Sequence, residues 1–383
     1  MLSFLEAVAS RALDARSSRS PAAPRARARP TPPQETRERC CEKYRRVFTL
    51  RTLAGEAGIG GIPDLALPPP SRAAAGNRTD EAAVPELIEL FHSTGSVLLR
   101  HEVAYTLGQM QRVDAVPFLE KLLTDDDEHP ITRHEAAEAL GAIEAPESLA
   151  ILARHAADAA SEVSDTCGLA LAQLNYQIAK GVCGCERRPQ EALRVEREAA
   201  ATGDATGDDA AMCSLPTLAQ PEPEPVPTHH HKPEPESFPT YNYVSPAPAA
   251  KAAPIGILRK QLLDRGSPLF ERYRSLFALR DAVPTEGVRA IEALCECLSS
   301  VRESALLKHE VAFVLGQLEH SAAEAALSDA VRREDEHAMV RHEAAEALGA
   351  IGTPEAIETL TEFASHPLTI LRESCWVALM WLL

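Results

Sequence analysis

His-Glu occurs four times in this chain of 383 residues, each time at the head of an apolar run with helical spacing. The copies are LLRHEVAYTLGQM (His101, Glu102), TRHEAAEALGAI (His134, Glu135), LLKHEVAFVLGQL (His309, Glu310) and VRHEAAEALGAI (His342, Glu343). His101 and His134 are 33 residues apart, as are His309 and His342, and the second pair follows the first after 208 residues. A short-period tandem array, itself duplicated, predicts helical hairpins stacked on one another. Stacking accounts for the leucines, alanines and glycines of these blocks. It does not require His-Glu at four matched places.

The hairpins follow from apolar periodicity. In the first half they pair Glu81 to Phe91 with His101 to Met110, Asp114 to Leu123 with Thr132 to Ile143, and Pro146 to Ala157 with Glu162 to Ile178. In the second half they pair Glu286 to Leu298 with Leu306 to Leu318, Ala322 to Arg332 with Val340 to Ile351, and Pro354 to Ala364 with Leu371 to Leu382. CEKYRRVFTLRTL (Cys41 to Leu53) matches FERYRSLFALRDA (Phe270 to Ala282), so Tyr44 falls on Tyr273 and Phe48 on Phe277. Residues 2–16 are expected to form the first helix of repeat one. Gly108, Gly141, Gly316 and Gly349 sit at matched ends and read as left-handed helix caps.

Between and within the halves the composition changes. Arg/Pro-rich residues at about 18–35 and Gly/Pro/Ala-rich residues at about 55–80 read as insertions without a core. Residues 181–254 hold ATGDATGDDA, PEPEPVP and PAPAA, and are expected to be a disordered linker. The domain division is therefore 1–180, 181–254 and 255–383. Three histidines in the linker, His229 to His231, lack anything to fix their rings and are not expected to function.

A net charge of −17 argues against nucleic acid and suits a cationic partner. Nine cysteines without a C-x-x-C pair read as free thiols of a reducing compartment, so a cytoplasmic location is expected. Cys167 and Cys375 occupy matched places and read as small buried residues. No apolar run reaches the ~20 residues of a membrane span.

Neighbouring helical residues point about 100° apart, so each His and Glu flank one broad face, expected on the first helical turn. Four such turns could aim four imidazoles and four carboxylates at a common centre. Imidazole with carboxylate suits non-haem iron better than thiolate-seeking metals, and two ions could share such a site. The bland alternative is a helix-start Glu favoured by the dipole beside a polar His, copied by duplication. The pattern is not the H-E-x-x-H of zinc proteases, because position i+4 is Tyr105, Glu138, Phe313 or Glu346. Glu138 and Glu346 share a face with His134 and His342, either as partners of those rings or as a solvated face.

The LL[RK]HEVA and RHEAAEALGAI blocks, the ERYRSLFALR lead-in and the terminal LRESCWVAL resemble the deoxyhypusine hydroxylase family. That resemblance implies an all-α fold of HEAT-like helical-hairpin repeats, an α-solenoid in two pseudo-symmetric halves. It implies two Fe2+ ions held by His101, His134, Glu135, His309, His342 and Glu343, with O2 as co-substrate. Glu102 and Glu310 would face the substrate as catalytic and substrate-binding groups. The substrate would be the deoxyhypusine side chain of eukaryotic translation initiation factor 5A, with neither nucleic acid nor membrane as partner, and the enzyme a monomer. Two other readings stay open on the residues: a non-catalytic HEAT-repeat scaffold or bilin-lyase-like protein, and a metal-dependent hydrolase.

Overall fold

The computed structural model describes residues 36–53, 82–180 and 243–382. The expectations for residues 2–16, the insertions at about 18–35 and 55–80, and most of the linker lie outside these residues. Among the described residues there are fifteen α-helices and no strand. The N-terminal half holds α1 (Arg37–Leu53), α2 (Ala83–His92), α3 (Val97–Gln109), α4 (Val116–Leu123), α5 (Pro130–Ile143), α6 (Leu149–His155) and α7 (Ser161–Ala179). The C-terminal half holds α8 (Ile255–Leu263), α9 (Leu269–Glu286), α10 (Val288–Ser299), α11 (Ala305–Leu318), α12 (Glu324–Arg332), α13 (Ala338–Ile351), α14 (Pro354–Phe363) and α15 (Thr369–Leu382).

The inner helices stack in order: α3 on α5, α5 on α7, α11 on α13, and α13 on α15. At one junction α7 packs on α9 and α11, and at the other α15 packs on α1 and α3, so the stack closes on itself. Both junctions use the same polar pair. Ser96 at the start of α3 bonds Glu373 of α15 at 2.5 Å, and Ser304 ahead of α11 bonds Asp165 of α7 at 3.0 Å. These residues are related by the 208-residue offset.

The inner helices begin earlier than their apolar pattern suggests. Their N-cap residues are Ser96, His129, Ser304 and His337, each five residues before the His of its His-Glu. The Ser96 hydroxyl and the His129 and His337 rings each accept a backbone N–H there, which is what starts the helix. His-Glu therefore lies on the second turn, beyond the first turn where the helix dipole acts most strongly.

The basic residue preceding each His anchors the repeat. Arg133 donates back to the Leu123 carbonyl at 3.0 Å and forward to Asp158 at 2.5 Å. Arg341 donates to the Val331 carbonyl at 3.0 Å, Arg100 pairs with Glu128 at 2.5 Å, and Lys308 pairs with Glu336. With that side chain tied to the hairpin ends, the next two residues turn to the inner face.

The four glycines are not left-handed caps. Left-handed backbone occurs three residues later, at Gln111, Glu144, Glu319 and Gly352. The glycines lie inside the helices, where the next repeat crosses closest. A Cβ on Gly108 would meet Ala139 Cα at 2.6 Å, and one on Gly349 would meet Ala378 Cβ at 2.7 Å. The six described cysteines are free, and Cys167 and Cys375 are fully buried as expected. No helix among the described residues is long and apolar enough to cross a membrane.

Candidate functional site

Closing the stack brings all four His-Glu pairs together. The His101 ring centroid lies 5.4 Å from His134 in its own half, and 5.9 and 5.1 Å from His309 and His342 across the junction. His134 is 5.5 Å from His309, and His309 is 5.3 Å from His342. His101, Glu102, Glu135, His309, Glu310 and Glu343 line a cavity with about 570 Å³ of empty space. His134 and His342 are fully buried behind it. Glu135 approaches His101 Nε2 at 3.0 Å, and Glu343 approaches His309 Nε2 at 3.3 Å.

The cavity concentrates acid groups. Six glutamates line it, and none of its described lining residues is Lys or Arg. Burial, with Tyr243 opposing and Glu343 and Glu135 assisting, pushes the Glu310 carboxyl up to about 8. Burial and the Glu102 charge push Glu343 up to about 8. Glu138 and Glu346 are also raised well above the usual range, by burial first and then by neighbouring carboxylates. Burial would discharge His101, but Glu135 and Glu102 outweigh it and raise its pKa well above the usual value. The other three rings go the opposite way: burial and the His101 charge lower His134 and His342 well below the ordinary value and take His309 to about 3.

Neutral imidazoles offer a lone pair. Both ring nitrogens of His134, Nδ1 of His309 and Nε2 of His342 have no hydrogen-bond partner among the described residues. Buried polar atoms left this way are costly unless something else binds them. Ligand atoms of His309, His342 and Glu343 lie within 4.8 Å of one another, as do those of His101, His134 and His309, and those of His134, Glu135 and Glu138. The donor set is nitrogen and carboxylate oxygen with no thiolate, which fits iron or a similar divalent ion.

The described repeats match the HEAT repeats family over residues 84–172 and 291–380. The sequence is 39% identical to deoxyhypusine hydroxylase of Rattus norvegicus over 337 residues, 88% of this chain and 84% of that protein. It is 38% identical to deoxyhypusine hydroxylase-B of Oryza sativa over 340 residues, 88% of this chain and 86% of that one. The chain belongs to the deoxyhypusine hydroxylase family. The solved structure of human deoxyhypusine hydroxylase in complex with glycerol aligns with a TM-score of 0.60 at 35% identity, covering 89% of this chain and 97% of that one.

This member of the deoxyhypusine hydroxylase family also places residues in the cavity beyond the four His-Glu pairs. Glu138 and Glu346 line it, which rules out the solvated-face reading; Glu346 Oε1 lies 3.6 Å from His342 Nδ1, and ligand atoms of Glu138 and His134 lie within 4.8 Å of each other, near the rings without a hydrogen bond to them. Their i+4 spacing from His was the visible signal. Tyr44 reaches across a junction and donates to Glu346 at 3.3 Å. Tyr105 and Phe313, at the other i+4 positions, form apolar wall with rings 6.1 Å apart. Tyr243 had no signal at all. It belongs to a stretch expected to lack a core, yet Tyr243 lines the cavity and the residues after it pack on the repeats. Tyr243 donates to Glu310 at 3.1 Å, and Ala247 is fully buried. The apolar content of YVSPAPAA suffices to bury a short strap against a preformed surface, which a disorder reading based on low complexity overlooks.

Proposed function

We propose that this chain hydroxylates the deoxyhypusine side chain of eukaryotic translation initiation factor 5A. The observation that carries the reading is the cavity of imidazoles and six glutamates with no Lys or Arg among its described lining residues. Such a cavity is stable with cations in it: metal ions at the floor and an ammonium-bearing side chain above.

His101, His134 and Glu135 would hold one iron and His309, His342 and Glu343 the other. When bound, that iron pair supplies the power to activate O2 toward a C–H bond. The protein's own residues do the rest. His134, His309 and His342 stay neutral and ready to ligate, because burial keeps protons off them. Glu102 and Glu310 face the cavity beside the ligands and receive the substrate's ammonium groups as charge-assisted hydrogen bonds. Phe48, Tyr105 and Phe313 give the methylene groups an apolar wall and keep bulk water from the reacting carbon. The net charge of −17 favours docking of a basic substrate loop.

The test is direct. Iron-loaded chain is mixed with the deoxyhypusine-bearing factor, reductant and O2, and the factor is weighed by mass spectrometry. Gain of one oxygen atom at the deoxyhypusine residue is expected. An unchanged mass with two irons per chain bound would refute the assignment.

A further inference from the structure

Tyr243 stands outside the repeat pattern, yet it is built into the cavity. Its segment is tied down at both ends. Gln109 holds Val244 twice, accepting from its N–H at 2.9 Å and donating to its carbonyl at 3.3 Å. Ala250 N–H donates to the Arg274 carbonyl at 2.8 Å, and Arg274 Nε donates to the Pro248 carbonyl at 3.3 Å. The Tyr243 ring packs on Phe313 with centroids 4.8 Å apart. Its hydroxyl lies 3.1 Å from Glu310 and 3.5 Å from Glu138.

Across the centre Tyr44 has the same surroundings. It bonds Glu346 at 3.3 Å and lies beside Glu102. Glu102 corresponds to Glu310, and Glu138 to Glu346, under the 208-residue offset. By the match of the two lead-in helices, the counterpart of Tyr44 should be Tyr273. Tyr273 is engaged elsewhere: it is fully buried and donates to the Leu306 carbonyl at 3.0 Å. The strap from the linker therefore supplies a tyrosine where duplication left none.

We propose that Tyr243 is a positioning residue for substrate recognition: its hydroxyl fixes the Glu310 carboxylate so that the free oxygen meets an ammonium group of the substrate. Tyr44 does the same from the opposite flank through Glu102 and Glu346. A carboxylate with one oxygen held by a phenol has lost most of its rotamer freedom before the substrate arrives, and that pre-organisation strengthens binding. The inference rests on the cationic-substrate reading above.

Anaerobic calorimetric titration of the full iron-loaded chain tests it, with a deoxyhypusine-bearing peptide and with free spermidine as probes. Tyr243→Phe keeps the ring contact with Phe313 and removes only the hydroxyl. It should weaken peptide binding about ten-fold, the loss expected for one hydrogen bond to a charged group, while iron content and melting temperature stay at wild-type values. In a Glu310→Gln background the same substitution should change binding less than about two-fold, because its effect passes through Glu310. Tyr273→Phe should lower the melting temperature and leave affinity alone. Equal losses in both backgrounds, wild-type affinity in Tyr243→Phe, or iron and thermal stability falling with affinity would each overturn the proposal. If the peptide fails to bind wild type while spermidine binds with the stated Tyr243 dependence, the substrate assignment falls and the positioning role stands. If neither probe binds wild type, both fall.

Discussion

The two repeat halves share a backbone plan and a His-Glu register, but they treat their matched histidines differently. His101 sits between two carboxylates, Glu135 at 3.0 Å and Glu102 at 3.3 Å, and they raise its pKa against burial. Its counterpart His309 has Glu343 at 3.3 Å, while Glu310 is turned toward Tyr243 at 3.1 Å, and burial takes the ring down to about 3. Each half holds a ligand group of its own, His309, His342 and Glu343 in one and His134, Glu135 and Glu138 in the other, and a third group joins His101 and His134 to His309 across the halves. Duplication thus fixes which residues face the centre, and a single outside tyrosine decides where one carboxylate turns. A cation entering the C-terminal group competes with a proton on the Glu343 carboxyl, while one entering the N-terminal group competes with a proton on the His101 ring.

Removing a ligand should give the largest effect and tests whether both halves are needed. His134→Ala or His342→Ala is expected to lower iron content below two per chain and activity by roughly a hundred-fold or more. Full iron loading in either variant would show the ligand set to be wrong. Within each His-Glu pair row the carboxylates should separate. Glu135→Gln and Glu343→Gln should lose iron, whereas Glu102→Gln and Glu310→Gln should keep it and bind the deoxyhypusine-bearing factor about ten- to a hundred-fold more weakly, as expected for about 1.5–3 kcal/mol per charged contact. The opposite partition would exchange the two roles.

The linker divides by function, and nested deletions sharpen where. Removing residues 201–240 takes out low-complexity sequence and leaves over twenty residues to reach the strap, about 70 Å when extended. Iron content and substrate affinity are expected to stay near wild type. Extending the deletion through 248 removes Tyr243 and the backbone held by Gln109, and affinity should fall about ten-fold or more. Equal behaviour of the two deletions, by the same titration, would deny the strap any part in the site.

Proton balance distinguishes metal-free from loaded protein. Glu310 and Glu343 are held up to about 8 against an ordinary 4.5, so between those values the folded chain binds more protons than the unfolded one. Their contribution to stability is full at low pH and is lost as pH rises through 8. His101, raised by its carboxylates, acts in the same direction above its ordinary 6.5. His309, lowered to about 3, acts the other way, adding stability as pH rises from 3 toward 6.5. Chelator-treated protein should therefore melt lower at pH 8 than at pH 6.5, by roughly 5 °C. Iron-loaded protein should show a smaller drop, since the ions already compensate the carboxylates.

Much of this architecture can be read from four short blocks. The period marks hairpin repeats, the 208-residue offset marks two halves, and the register of His-Glu marks one face. All eight of those side chains do converge. The starts of the inner helices are hard to read because the caps Ser96, His129, Ser304 and His337 stand more than one turn ahead of the conspicuous motif. Closure through Ser96–Glu373 and Ser304–Asp165 escapes a sequence reading because each pair joins residues far apart in the chain, and neither partner is unusual by itself. Tyr243 is hidden for a different reason: it has no repeat counterpart, and a strap that packs only on a finished surface leaves no periodicity.

The glycines allow the finest comparison of the halves, because matched positions differ by tenths of an ångström. At the first crossing an added Cβ would meet the neighbouring Ala Cα at 2.6 Å from Gly108 but 3.0 Å from Gly316. At the second the order reverses, with the nearest Ala Cβ at 3.1 Å from Gly141 and 2.7 Å from Gly349. Contacts under about 3 Å force the helices apart, and overpacking of this kind costs about 1–3 kcal/mol. Gly108→Ala and Gly349→Ala should therefore lie toward the upper end of that range, with Gly316→Ala and Gly141→Ala toward the lower. Gly168, on α7, has open space where a Cβ would go, so Gly168→Ala should stabilise by about 0.5–1 kcal/mol through helix propensity alone. Urea unfolding of the five variants measures the ranking. A cost for Gly168→Ala equal to that for Gly108→Ala would mean that helix crossing distance is not why these positions are glycine.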